Sequence, residues 1–296
     1  MFSVFLQFLF SGLTTGAVYA LVGIGFNIVY NSTSIINLAQ GEFVVIGGLL
    51  MWYFSESLKV PFFPSIILTI AVSGIIGIIM ERLTIRPLLK KADLLLMIMV
   101  TIAVSILMRG LLMFKFGKEP YSFPPFTEGE PFIIYGAVIQ QQTLWVIGIT
   151  GLCIVMLYLF FNRTILGKAM RACSVDPKAA RLSGINVSKV VMLSFIISAI
   201  VGAVGGIAIT PISLMEYDKG PMLAVKGFCA SIMGGLGRGR GAVIGGFILG
   251  ILESLTAGYI HSGLKDAVAL VIMLFILFFR PAGIFGNIEA SRLRKF

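Results

Sequence analysis

The chain is 296 residues long, 58% apolar and only 12% charged, with a mean hydropathy of +1.01. Soluble domains carry about 45–50% apolar and about 25% charged residues, so a soluble enzyme and a disordered chain are excluded. The net charge of +10 comes from Lys and Arg in short connectors between apolar runs, which membrane topology explains without nucleic acid.

The first apolar run, Val4–Tyr30, has no basic residue before it and is too long for a secretory leader core. It reads as a membrane helix, with Gly12/Gly16 at a spacing that lets helix backbones approach closely and Asn27 near its end. Next comes Leu38–Phe54, short and interrupted by Gly47-Gly48, with Asn37, Gln40 and Glu42 at its start. Phe62–Arg82 and Leu94–Phe116 follow, the second carrying Arg109. A connector rich in Glu and Pro occupies 117–142 and reads as an extended loop. Thr143–Phe161 and Val190–Thr210 flank a basic connector, 162–189. Met222–Leu236 is again short and Gly-interrupted, with Lys226 near its start, and Ala242–Ile260 and Lys265–Phe279 complete the set. A helical span needs about 20 apolar residues, so the fold class is an all-α polytopic membrane protein of eight or nine transmembrane helices. The whole of 1–296 reads as one transmembrane domain, and the two short runs read as half-helices.

Basic residues assign the sides. Arg82, Arg86, Lys90 and Lys91 share a side with the six of 162–189, with Arg238 and Arg240, and with Arg280, Arg292, Arg294 and Lys295. The opposite connectors hold only Lys59, Lys115, Lys118, Lys219 and Lys265. The rich side is expected to be cytoplasmic, with the C-terminus inside, and 117–142 is expected outside.

Leu38-Ala39-Gln40-Gly41-Glu42-Phe43 through Gly47-Gly48 resembles Leu223-Ala224-Val225-Lys226-Gly227-Phe228 through Gly234-Gly235. The two copies run in opposite directions across the membrane, which is the pattern of inverted repeats meeting at a midplane pathway. Intramembrane polar residues are costly and mark such pathways. Asn27, Asn37, Gln40, Glu42 and Lys226 are therefore the candidate solute contacts, against the alternative that they bond one helix to another, with Glu42 paired to Lys226.

No catalytic constellation, metal-ligand spacing or phosphate-binding loop is present. The chain is expected to be no enzyme and to bind no metal, and its scattered Cys153, Cys173 and Cys229 define no disulfide framework. The basic connector is more specific. Asp176-Pro177 reads as an N-cap followed by the first helical residue, and Gly184 as the residue that ends the helix. A short capped helix held between two spans suits a docking element.

The stretch Gly167–Val187 resembles the EAA-type cytoplasmic loop of ABC-transporter permeases and, more narrowly, that of the branched-chain amino acid (LIV-type) permeases. Gly12–Tyr30 with Ile36–Glu42, Ala224–Gly250, Lys265-Asp266-Ala267 and Phe279–Gly286 resemble other blocks of that family, and the N-terminal block is closest to the H-type subunit. The resemblance implies a bacterial inner-membrane permease that pairs with a paralogous M-type permease. It implies two cytosolic ATPase subunits, which use ATP and Mg, and a periplasmic solute-binding protein. It places Gly167, Arg171, Asp176, Pro177, Ala179, Ala180, Arg181 and Gly184 at the ATPase contact. Sister groups move urea and short amides. An ion-coupled secondary amino acid transporter is the rival that inverted repeats also fit.

Overall fold

The computed structural model describes residues 2–88, 93–280 and 283–285. Lys90, Lys91, Pro281, Ala282 and the tail from Gly286, including Arg292, Arg294 and Lys295, lie outside the described residues. Helices dominate: α1 Phe2–Thr33, α2 Gln40–Trp52, α3 Phe62–Met80, the single turn α4 Arg86–Leu88, α5 Leu94–Phe116, α6 Gln141–Arg163, α7 Ile165–Val175, α8 Pro177–Leu182, α9 Val187–Ser213, α10 Gly220–Gly234, α11 Gly239–Tyr259 and α12 Lys265–Phe279. Among the described residues, seven helical segments are long and apolar enough to cross a membrane. The two short runs form α2 and α10, about 20 Å and about 22 Å long at 1.5 Å per residue, against a hydrocarbon core of about 30 Å. They are half-helices.

Each half-helix follows a long helix through the same device. α1 ends at Ser34 (φ 57°) and α9 at Leu214 (φ 50°), and a short irregular stretch then leads into α2 or α10. Positive φ is uncommon outside glycine and turns the chain sharply. Within α9, Pro211 removes one amide donor from the last turn. Gln142 and Ser122 donate to the carbonyls of Ala208 and Thr210 there (2.8 and 3.2 Å).

The repeats are inverted. Gly25 of α1 faces Ser198 of α9 and Leu21 faces Gly205, so the two helices run antiparallel. α2 lies along α9 with Phe43 on Gly202 and Val44 on Gly206, while α10 lies along α1 with Gly227 on Val22 and Phe228 on Phe26. α3 packs on α9 as α11 packs on α1. Exchanging the halves brings Ser34 onto Leu214 and Glu42 onto Lys226. An acidic and a basic side chain thus occupy equivalent places on the two half-helices.

Glycine makes these approaches possible. A β-carbon on Gly12 would stand 2.6 Å from the Ile251 Cα, one on Gly16 would stand 2.9 Å from the Gly246 carbonyl, and Gly250 has no room for one beside Gly16. The G-x-x-x-G spacings of α1 and α11 are therefore packing surfaces that meet. Gly16→Leu is expected to destabilise the fold by ~3 kcal/mol or more, since overpacking here meets backbone rather than a movable side chain. A thermal midpoint in detergent within a degree of the parent would contradict this packing.

The 117–142 segment is more ordered than its composition suggests. Phe132–Ile134 and Ala137–Ile139 form an antiparallel hairpin, β1 and β2, closed by Tyr135 (φ 49°) and Gly136 (φ 80°). Positive φ at both turn residues matches the right-handed strand twist. Ala137 and Ile139 are buried, β2 packs on α1, and Tyr121 pairs with Met215 in an isolated bridge.

Candidate functional site

Three polar clusters lie inside the bundle. The first forms where the half-helices begin. Gln40 is fully buried and donates to the Ser198 carbonyl (3.0 Å); the Ser198 hydroxyl lies 2.5 Å from Gln40 Oε1 and 2.9 Å from the Gly25 carbonyl. Asn37 Oδ1 accepts from the Ala39 amide (3.2 Å), and Glu42 Oε1 accepts from the Ser105 hydroxyl (2.7 Å). Thr101, one turn before Ser105 on α5, accepts from the Leu38 amide (3.2 Å) and braces the irregular segment. The N-termini of α2 and α10 meet here: Gly41 lies against the Gly220 carbonyl, and the Glu42 carboxylate abuts Gly220 itself. Among the described residues, Asn37 Nδ2 and Glu42 Oε2 are buried without a hydrogen-bond partner. One is a donor and the other an acceptor, and each carries the full desolvation penalty of an unpaired group.

The second cluster belongs to Lys226. Its Nζ lies 2.7 Å from Glu253 Oε1, 2.6 Å from Asp266 Oδ1 and 3.2 Å from the Tyr19 hydroxyl, which donates to Glu253 Oε2 (2.8 Å). Lys226 does not pair with Glu42: its charge is matched by α11 and α12, and Lys219, at the start of α10, turns its Nζ to the Ser213 and Leu214 carbonyls (2.9 and 3.1 Å). The third cluster ties α1 to the turn between α10 and α11. Asn27 accepts from the Gly237 amide (2.7 Å) and donates to the Arg238 carbonyl (3.3 Å), while Asn31 donates to the Gly237 carbonyl (2.9 Å). Gly237 sits at φ 89°, a conformation that favours glycine.

Of the five residues proposed from sequence, Asn37, Gln40 and Glu42 share one cluster, while Asn27 and Lys226 stand in two others. Gln40 and Lys226 spend their polar atoms on neighbouring helices, and Asn27 spends its own on the turn between α10 and α11. Thr101, Ser105 and Ser198 were not singled out by sequence reasoning; the four-residue spacing of Thr101 and Ser105 on an apolar helix was the available signal.

The basic connector folds into two helices rather than one. Thr164 caps α7 by accepting from the Gly167 amide (3.0 Å), and Gly167 lies so close to Phe160 and Phe161 that a β-carbon would not fit. Asp176 caps α8 by accepting from the Lys178 and Ala179 amides (2.7 and 3.1 Å), with Pro177 first in the helix and Gly184 following it at φ 82°. Ala180 is buried with Met170, Cys173 and Val190, which fixes α8 to α7 and α9. Burial pushes the Cys173 thiol above its usual range, consistent with a packing role. Ala179, Arg181 and Gly184 are exposed, as are Val175 (85%) and Leu182 (91%). Arg171 points elsewhere and donates to Asn162 Oδ1 (2.9 Å).

Two inverted repeats, each carrying a half-helix whose start meets the other beside buried polar groups, define a polytopic membrane permease. The sequence pattern described as the permease component of the branched-chain amino acid transport system matches residues 8–277, and the chain belongs to that family. It is 31% identical to the high-affinity branched-chain amino acid transport system permease protein LivH of Salmonella typhimurium, covering 99% of each chain. It is also 31% identical to the corresponding permease protein BraD of Pseudomonas aeruginosa, covering 98% of each. A probable LivH of Methanocaldococcus jannaschii is 27% identical over 93% of this chain and 90% of its own length. Within the family the chain is an LIV-type permease of the H kind.

Proposed function

We propose that the chain is one permease subunit of an ATP-driven importer of branched-chain amino acids, placed in a bacterial cytoplasmic membrane with its basic end and C-terminus inside. The names of its relatives support the solute class. The observation that carries the reading for this chain is the junction of the half-helices, where Glu42 Oε2 seeks a donor and Asn37 Nδ2 seeks an acceptor. An amino acid supplies both: its ammonium suits Glu42, and its carboxylate suits the Asn37 amide and the positive end of a half-helix. The equivalent position in the second repeat carries Lys226, already neutralised by Glu253 and Asp266. The open half of the site is therefore the acidic half.

The partners follow from the family. A paralogous M-type permease completes the pathway, and two cytosolic ATPases bind ATP and Mg, so this chain needs no cofactor of its own. A solute-binding protein meets the outer loops, including 117–142. The docking element is α8, where Ala179, Arg181 and the exposed Leu182 face outward from a cap formed by Asp176 and Pro177. Arg171, on α7, donates to Asn162.

The test is labelled leucine uptake by the assembled transporter with Glu42→Gln or Asn37→Ala. Glu42→Gln is expected to raise the half-saturating leucine concentration by roughly tenfold or more, the scale of one charge-assisted hydrogen bond. Unchanged saturation in both variants would remove these residues from the solute path.

A further inference from the structure

At the basic end of the bundle a crevice of about 460 Å³ opens between α6 and α11. α1 forms its floor and α7 closes one end. Its walls are mostly apolar, with Ile28 of α1, Ile154 and Leu157 of α6 and Val243 of α11, and Asn27, Asn31 and Asn162 add amide groups. α6 is a peripheral helix, and its Val155, Tyr158 and Leu159 are about half exposed, so the crevice opens at the outer surface of this chain. Two arginines stand at its rim, Arg171 of α7 and Arg240 of α11. Both are held in place. Arg171 donates through one nitrogen to Asn162 Oδ1 (2.9 Å), and the Arg240 guanidinium lies 5.2 Å from the centre of the Tyr158 ring. Among the described residues neither is paired with a carboxylate, since the ion pairs there use only Lys59, Lys219 and Lys226 as cations.

An apolar slot ending at two oriented guanidinium groups is complementary to an amphipathic anion. We propose that the crevice binds one anionic phospholipid of the adjoining leaflet, its phosphate between Arg171 and Arg240 and one acyl chain along Ile28, Ile154 and Val243. Guanidinium groups suit phosphate because their planar donors match its oxygens. Basic pockets between transmembrane helices at the cytoplasmic level take such headgroups. The leaflet rests on the orientation given above; the lipid class rests on the crevice alone. Because Arg171 belongs to α7 and α7 carries α8, an occupied crevice would hold the docking element against the bundle.

The experiment is native mass spectrometry of the detergent-purified transporter complex, supplied with phosphatidylglycerol or phosphatidylcholine of the same acyl chains. The expected result is retention of one phosphatidylglycerol in preference to phosphatidylcholine. Arg171→Gln with Arg240→Gln should reduce that preference by roughly tenfold or more, while Lys118→Gln, on the far connector, should leave it intact. Val243→Trp, which fills the slot, should reduce retention of both lipids. Equal retention of the two lipids, or an unchanged preference in the double arginine variant, would overturn the proposal. Displacement of phosphatidylglycerol by millimolar inorganic phosphate would reduce the crevice to a simple anion site. Displacement by leucine would make it part of the solute path. The readout needs neither transport nor a known sidedness, so failure of the uptake account leaves it interpretable.

Discussion

Leu182→Glu is expected to abolish ATP-driven uptake and the co-purification of the ATPase subunits, while leaving the thermal midpoint of the permease unchanged. Leu182 is 91% exposed, on a capped helix too short to be stable alone. What holds that helix is the Asp176 cap and the buried Ala180, not Leu182. A leucine this exposed gains nothing from the fold and suits a groove on a partner. A central apolar anchor is worth about 2 kcal/mol or more of binding, roughly thirtyfold in affinity, and a buried glutamate without a partner adds its own penalty. Ala180→Glu should behave differently. It should lower the thermal midpoint as well as uptake, because its side chain enters the packing between α7 and α9. Pull-down of the ATPases with each variant, beside a melting curve, separates the two roles. Full ATPase recovery with Leu182→Glu would remove α8 from the docking surface.

Lys226→Met is expected to destabilise the permease by about 3–5 kcal/mol, the cost of leaving a buried carboxylate without its cation. Lys226 and Glu253 are both nearly buried, whereas the Asp266 side chain is 41% exposed and shares its charge with water. Glu253 thus bears most of the penalty, and Tyr19 remains as its single donor. The double variant Lys226→Met with Glu253→Gln should recover most of the loss, since it removes both charges and keeps a hydrogen bond from Tyr19. Thermal midpoints of the two single variants and the double variant complete the cycle. Additive losses would show that the two side chains do not form a coupled pair. Leucine saturation should change less in the double variant than in Glu42→Gln, because the Lys226 cluster is closed by protein groups.

The long helices were legible because each is an uninterrupted apolar run, and hydropathy reports length directly. The half-helices were legible from Gly47-Gly48 and Gly234-Gly235, and the cap of α8 from Asp176-Pro177. Legibility failed where structure depended on contacts remote in sequence or on patterns shared with loops. α7 is short and mixes Lys168 and Arg171 with small and apolar residues, so 162–189 resembles a solvated connector until Thr164 and Gly167 are seen to start a helix against α6. The hairpin in 117–142 has its signal in Phe132-Ile133-Ile134 and Ala137-Val138-Ile139 around Tyr135-Gly136, hidden among prolines and glutamates. Lys226 was legible as a buried charge but not in its partners, which lie 207 residues away at Tyr19 and 27 residues away at Glu253. The junction at Glu42 needed Gly220, on the opposite repeat, to become a site at all.

The most direct test reconstitutes this chain with its candidate paralogue, ATPases and binding protein in proteoliposomes and follows labelled leucine with and without ATP on the ATPase side. The account predicts leucine uptake that requires ATP, that persists without an ion gradient and that falls with Glu42→Gln. Uptake indifferent to ATP but driven by an ion gradient would contradict it and make the inverted repeats those of a secondary transporter.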